Sequence, residues 1–304
     1  CEAFGRVTVE AMLTGNLVLG ADSAGTKELL KDGKFGGFGP GLPAISDGQM
    51  LFMLNGVKKL KDGSGRMAII QNGSSLFTGD AGSGASEIRR YLIHGDFVEA
   101  IVQLPTDLFY NTGISTYIWV LTKGKPMHRS GWVQLIDASK CFVKRRKNIG
   151  SKRVDLSDAC IDLILQAYEG FENQTYTNGD LVVESKVFAK DFFGFTKVTV
   201  ETAQADESGK PILKRGKKQP VKGASDSEII PLNENIDDYM AKNVLPYNPL
   251  AYIDPAKDKI GYEIPFTRLF YKFEAPESSA SIFEDIKALE AKETILMKEL
   301  FGNA

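Results

Sequence analysis

Three stretches of the sequence place side chains in patterns that can do chemistry. Residues 104–113 read LPTDLFYNTG, with Phe109 and Tyr110 adjacent and Asn111 and Thr112 following. An aromatic ring on a loop between two strands can stack on an extruded base, at about 1–3 kcal/mol per base. It can equally plug the end of a sheet. Asn111 and Thr112 can hold a phosphate or a base edge, although both are also ordinary turn formers. Residues 140–153 read KCFVKRRKNIGSKR, seven basic residues with no acid. Lys144, Arg145, Arg146, Lys147, Lys152 and Arg153 could form a strip for phosphates, or simply a solvated face. Residues 71–84 read QNGSSLFTGDAGSG. They follow an apparent strand, at the end where open α/β sheets bind ligands. Asn72, Ser74 and Ser75 are placed to line a site there, and Gly79, Gly82 and Gly84 to make its loop mobile; a plain solvated loop is the competing reading.

Other chemistries are poorly served. Cys1, Cys141 and Cys160 and the histidines His94 and His128 show no zinc-type spacing and no disulfide framework, so no metal is expected. The histidines have no acidic or cysteine neighbour and receive no role. The formal charge of -2 gives no global basic field. No apolar run approaches the roughly 18 residues of a membrane span. A reduced, cytoplasmic protein with no membrane partner is expected. The length of 304 residues suggests about two domains.

The elements that position these stretches can be read from periodicity. Residues 2–32 suit a helix, a strand and a second helix. Residues 33–43 are a glycine-proline loop. Ser46 or Asp47 caps a helix in which Met50, Leu51, Leu54, Val57 and Leu60 recur at helical spacing. Strands are expected at 66–71, 97–104, 115–123 and 132–137, with a helix over 86–94. The alternation points to an α/β sheet, with the last two strands paired as an antiparallel hairpin at one edge. Leu156 to Tyr168 looks helical and 182–200 strand-rich. Residues 201–227 suit an exposed hairpin or loop with a second basic cluster, LKRGKKQPVK. At the end, Ile282, Ile286, Leu289, Leu296 and Leu300 step by fours and threes, interrupted by Glu293, as on a partner-facing helix. Of 30 glycines, 18 lie in the first 95 residues, which places the tight turns in the N-terminal third.

From about Gly37 onward the sequence resembles the modification subunit of type I restriction–modification systems, the adenine-N6 DNA methyltransferase. The resemblance is carried by GLPAISDGQMLF, GRMAIIQNGSSLFTGDAGSGASEIRRYLI, VEAIVQLPTDLFYNTGISTYIWVLTKGK, VQLIDAS and KIGYEIPFTRLFYK. It implies a partial Rossmann-like methyltransferase sheet with an α+β C-terminal region and a terminal partner-binding helix. It implies S-adenosylmethionine as cofactor of the complete protein. It also implies DNA, the specificity subunit and the restriction subunit as partners. Phe109, Tyr110, Asn111 and Thr112 would fall in the family's base pocket, and Gly79–Gly84 would cover the DNA. Two family features are missing. No D-x-x-x-G-x-G follows a strand, and Gly82-Ser83-Gly84 lacks the last glycine of a dinucleotide-type loop. No Asn/Asp-Pro-Pro-Tyr/Phe turn is present; Asn248-Pro249-Leu250-Ala251-Tyr252 lacks its second proline and reads as a proline turn. No catalytic residue is therefore assigned, and the chain alone is expected neither to bind cofactor nor to transfer methyl groups.

Residues 2–32 resemble something different, the donor-sugar segment of retaining glycosyltransferases of the GT-B type. The resemblance rests on EAFGRVTVEAML and NLVLGADSAGTKELLKDG, in which Glu2 would face the sugar and Glu10 the ribose. With Cys1 at the start and a joint near 34–37, a fragment or mis-joined reading frame is expected. The expected division is residues 1–34 glycosyltransferase-like, 35–140 the C-terminal half of the methyltransferase domain, 141–275 a DNA- and partner-contacting region, and 276–304 the specificity-subunit helix. The alternatives are a non-catalytic fragment binding DNA or the specificity subunit, and a nucleotide-sugar-dependent glycosyltransferase fragment.

Overall fold

The structure is a computed structural model that describes residues 39–43, 48–273 and 275–302. The elements expected over 2–32, with Glu2 and Glu10, and the cap at Ser46 or Asp47 lie outside those residues. The first strands are β1 (Arg66–Asn72), β2 (Val98–Gln103), β3 (Thr116–Thr122), β4 (Trp132–Asp137), β5 (Val143–Ile149), β6 (Lys152–Asp155), β7 (Gln174–Asn178) and β8 (Leu181–Ala189). The later ones are β9 (Gly194–Ala203), β10 (Leu213–Lys214), β11 (Lys217–Lys218), β12 (Pro220–Pro231), β13 (Ala251–Ile253) and β14 (Lys259–Tyr262).

Six strands form one mixed sheet in the order β1–β3–β2–β4–β8–β7. Its centre is β2, VEAIVQ, in which five of six residues are buried. A strand this apolar must be covered on both faces. It pairs antiparallel with β3 and parallel with β4. The expected hairpin between the strands at 115–123 and 132–137 is therefore not formed. Both edges of β3 are already taken, Trp119 lying between Ile69 of β1 and Ile101 of β2, so the chain crosses β2 before β4 begins. The sheet also continues beyond residue 140, because β8 pairs with β4 along its whole length.

β1, β2 and β4 run in one direction. Asn72, Gln103 and Asp137 thus end at one edge of the sheet, where Thr116 also starts β3. The connections over 73–83, 104–115 and 138–142 leave from this edge.

Helices flank the sheet. α1 (Gln49–Lys59) buries Met50, Met53, Leu54 and Val57, a single helical stripe. α2 (Ser74–Phe77) is one turn of helix inside the 71–84 stretch read as a loop. α3 (Gly84–His94) is capped by Ser83, whose hydroxyl accepts from the Ser86 amide. α4 (Asp158–Gly170) buries Cys160, Leu163 and Ala167. They join Val102, Leu104, Leu108, Ile136, Ala138, Cys141, Val154 and Val183 in one apolar cluster. Among the described residues Cys141 and Cys160 are free and buried, and burial pushes the Cys141 thiol up to about 12.

α4 is also held by a buried polar network. Glu99 of β2 is 1% exposed, and its Oε1 accepts from the Tyr168 hydroxyl at 2.7 Å and from Arg66 at 3.1 Å. Arg129 lies 3.8 Å from the same oxygen. Its guanidinium sits over the rings of Tyr168 and Phe171, at 4.5 and 4.4 Å. Burial, then the Glu99 hydrogen bond, pushes the Tyr168 hydroxyl up to about 12.

The second sheet is antiparallel, with β9 flanked by β12 on one side and by β13 and β14 on the other. Its core is Val198, Val200, Ile230, Met240 and Ala251, with the short α5 (Ile236–Tyr239) packed nearby through Ile236 and Tyr239. Arg89 of α3, 1% exposed, donates to the Tyr262 carbonyl at 2.6 Å, while the Ser86 hydroxyl accepts from the Tyr262 amide. These bonds tie the second sheet to α3.

The contacts divide the chain after Phe266, within the short α6 (Phe266–Phe270). Beyond it, α7 (Ser279–Phe301) is a 23-residue helix capped by Ser278, with no buried residue. Its Ile282, Ile286, Leu289, Leu296 and Leu300 are all exposed. Among the described residues no helix is long and apolar enough to cross a membrane.

Candidate functional site

Two stretches that the sequence marks separately meet at the carboxyl edge of the first sheet. β5 and β6 form a two-stranded ribbon, and this ribbon lies along the 104–115 connection. The Asp107 carbonyl accepts from the Arg153 amide at 2.9 Å and from the Val154 amide at 3.4 Å. The Tyr110 carbonyl accepts from the Ser151 amide at 2.9 Å. Gly150 at the ribbon tip has φ +57°, and a Cβ there would stand 2.8 Å from the Tyr110 carbonyl oxygen. The approach therefore needs glycine twice over. Leu108 of the connection and Val154 of the ribbon share the apolar cluster beneath. Aromatic loop and basic ribbon are thus one surface.

Within the loop, Phe109 is half-buried and packs on that cluster. Tyr110 is 59% exposed, and Asn111 is exposed beside it. Thr112 closes a tight turn, its amide donating to the Phe109 carbonyl at 3.4 Å. Tyr110 therefore offers a free ring face, while Phe109 anchors the loop. On the ribbon, Asp155 takes up two cations: Lys152 at 2.8 Å, and Arg145. The Lys152 hydrogen bond first, with the Arg145 charge, holds the Asp155 carboxyl below the usual carboxylate range. Lys144, Arg146, Lys147 and Arg153 are exposed and have no ion pair among the described residues.

The 72–84 stretch is more committed than its composition suggests. Asn72 Oδ1 accepts from Gln49 Nε2 at 2.9 Å and from the Ser74 amide at 2.9 Å, and the Ser74 hydroxyl also bonds Gln49. Ser75 is 1% exposed; its hydroxyl accepts from the Trp119 indole at 3.1 Å and donates to the Asn72 carbonyl. Its task is to hold the strand end, not to face a ligand. Asp80 pairs with Lys197 at 2.8 Å, which holds its carboxyl low, and Ala81 is buried. Gly79 and Gly82 take positive φ, +94° and +76°. Gln49 and Trp119 escape a sequence reading: one opens an apolar helix and the other sits mid-strand, and neither position signals a partner some 25 or 44 residues away.

Gly84 is a point of close approach. A Cβ there would lie 1.8 Å from the Leu42 carbonyl oxygen. Gly84→Ala should therefore push residues 41–43 off α3 and lower stability by roughly 1–3 kcal/mol, despite alanine's better helix propensity. Denaturant titration measures this, and an unchanged or raised midpoint would show that 41–43 do not pack there.

Two further groups sit at the same edge. Thr116 is 6% exposed and its hydroxyl has no hydrogen-bond partner among the described residues. Burial, then the Asp137 charge, raises the Tyr117 hydroxyl above its ordinary value. The Asn248 segment is far along the chain on the second sheet, where the Ala251 amide donates to the Asn248 carbonyl at 3.0 Å and Asn248 Nδ2 donates to Thr202. It is a turn that starts β13. Among the described residues no cluster of histidine, cysteine or carboxylate could hold a metal ion.

The family described as N-6 DNA Methylase matches the chain over residues 15–208. The type I restriction enzyme MjaVII methylase subunit of Methanocaldococcus jannaschii is 32% identical over 108 residues, 36% of this chain and 18% of that protein. The type I restriction enzyme HindI methylase subunit of Haemophilus influenzae is 28% identical over 154 residues, 50% of this chain and 34% of that one. The chain thus spans between about a fifth and a third of these relatives' lengths. A solved methyltransferase subunit of a type I restriction–modification system from Streptococcus thermophilus is 27% identical, with 57% of this chain and 32% of that one covered at a TM-score of 0.45. The family match begins at residue 15 and crosses the joint expected at 34–37. The glycosyltransferase alternative finds no support.

Proposed function

This chain belongs to the N-6 DNA methylase family, and from that membership we propose that it supplies a DNA-facing edge of a type I modification subunit. The complete protein would transfer a methyl group from S-adenosylmethionine to N6 of adenine in DNA. The observation that carries this reading is the docking of the basic ribbon on the aromatic loop, at the sheet edge where open α/β folds bind ligands. Lys144, Arg146, Lys147 and Arg153 would neutralise phosphates. Tyr110 would stack on a base taken out of the duplex. Asn111 and Thr112 would meet its edge or the adjoining phosphate, and Asn72 and Ser74 would border the site.

The described residues do not fit the cofactor. When bound, S-adenosylmethionine supplies the electrophilic methyl group. The glycine-rich strand–loop–helix connection that ends at Gly84 is closed at that glycine, where a Cβ would stand 1.8 Å from the Leu42 carbonyl oxygen. No step is therefore assigned to this chain's residues beyond holding DNA. α7, with its exposed apolar seam, would dock on the specificity subunit, and the restriction subunit would join through the assembly. A cytoplasmic location belongs to the same reading.

Incubating the chain with an adenine-containing duplex and radiolabelled S-adenosylmethionine tests it. The expected outcome is salt-sensitive DNA binding, no heat on titrating the cofactor and no label in DNA. Methyl transfer by the chain alone, or absence of DNA binding, contradicts the proposal.

A further inference from the structure

Residues 208–225 carry six cations, Lys210, Lys214, Arg215, Lys217, Lys218 and Lys222, and no acid. All six are exposed and none has an ion pair among the described residues. They are held on a defined scaffold. β10 and β11 pair across a two-residue turn, Arg215 at φ +53° and Gly216 at φ +77°. This is the mirror-type hairpin turn, whose first position ordinarily takes asparagine, aspartate or glycine. Arginine there is strained, yet it sets a cation at the apex. Backbone bonds brace the hairpin: Ile212 donates to Gln204, Gln204 to Gln219 and Gln219 to Ile212. The Lys218 ammonium lies 5.2 Å over the Tyr252 ring. Ile212 and Leu213 are exposed among the cations, 40% and 62%.

We infer that this hairpin is a second contact surface for the backbone of duplex nucleic acid, separate from the ribbon over residues 143–155. The inference rests on the reading that the chain meets DNA. Position favours it. Lys197 of β9 is held to Asp80 in the 73–83 connection, which leaves from the same sheet edge, and β9 then runs six residues to Ala203 at the hairpin root. At about 3.3 Å per residue that is roughly 20 Å, the length of about six base pairs at ~3.4 Å each. A duplex that extends from that sheet edge past the Asp80 loop would bring phosphates within this span. Cations on a stiff ribbon with aliphatic neighbours suit a groove edge better than a flat surface does.

The test measures duplex binding by the full chain over a salt series. The variant carries Lys214→Gln, Arg215→Gln, Lys217→Gln and Lys218→Gln together. Each phosphate left without its cation should reduce the slope of log affinity against log salt by about 0.9, so the variant should be shallower by about 2–4, equally on unrelated sequences. Arg215→Gly should flatten the slope by about 1 while raising the melting temperature, a pairing that a purely structural arginine would not give. Unchanged slope and affinity in both variants overturn the inference. So does loss of binding to anionic lipid vesicles with duplex binding intact. If the unmodified chain binds no duplex, both this inference and the proposed function fall. If neutralising the 143–155 ribbon weakens binding and neutralising this hairpin does not, only this inference falls.

Discussion

Neutralising Lys144, Arg146, Lys147 and Arg153 together as glutamine should flatten the salt dependence of duplex binding by about 3–4 in slope, roughly 0.9 for each phosphate no longer neutralised. The effect should be large because these four are exposed and have no ion pair among the described residues. Arg145→Gln and Lys152→Gln should change the slope much less. Their charges are already turned toward Asp155. Anisotropy titrations between about 50 and 200 mM salt resolve the difference. Equal effects from the two groups would mean that the Asp155 pairings do not persist in solution. The aromatic pair should separate as well. Tyr110→Ala should weaken binding to single-stranded DNA by about 1–3 kcal/mol. Phe109→Ala should act on stability, because its ring packs on the cluster that also holds Leu108 and Val154.

The second large effect is expected at Glu99, far from that surface. Glu99→Ala should destabilise the chain by about 3–5 kcal/mol. It would leave the Arg129 guanidinium, 5% exposed, without its carboxylate and would strip the Tyr168 hydroxyl of its acceptor. Glu99→Gln keeps the shape and should cost less. The network also has a pH signature. Burial and the Glu99 hydrogen bond push the Tyr168 hydroxyl up to about 12 in the folded chain, against about 10 for a free tyrosine. A raised acid stays neutral in the folded state while the unfolded chain ionises. Its stabilising share is complete below pH ~10 and is lost as pH rises toward 12. Tyr168→Phe should remove that part of the alkaline loss. Urea titrations at pH 9, 10.5 and 11.5 check it: identical pH dependence with and without the hydroxyl would exclude Tyr168 as the cause.

Most elements of the first sheet are legible because they follow simple periods. The apolar stripe of α1 is read correctly at Met50, Leu54 and Val57, with Met53 rather than Leu51 or Leu60 completing the buried face, and the buried run of β2 gives one answer. Pairing is less legible. Nothing local in the sequence over 115–137 shows that β3 is already flanked on both edges, so the nearest neighbour along the chain looks like its partner. The order of a mixed sheet depends on crossovers, which local patterns do not record.

The candidate site is legible in its parts and not in its assembly. The rings at 109 and 110 and the cations of 144–153 can be named from residue type. That the Asp107 and Tyr110 carbonyls receive amides from Arg153 and Ser151 cannot, because backbone bonds leave no residue signature. Gly150 is the exception, a glycine whose reason is the close approach itself. Ser75 shows the opposite failure. Its hydroxyl suggests a ligand, and burial gives it to Trp119 instead. Nor can adjacent rings be ranked from sequence, since which one turns inward depends on the cluster formed with α4.

The central claim is that the aromatic loop and the basic ribbon bind DNA as one surface. Hydrogen exchange of the full chain, with and without a duplex of about 30 base pairs, tests it most directly. Such a duplex exceeds the length, at about 3.4 Å per pair, that both basic ribbons could cover. Exchange should slow together over residues 107–113 and 143–155 and stay unchanged over β7. Slowing confined to other segments, or unchanged exchange in both under conditions where the duplex is bound, would contradict it.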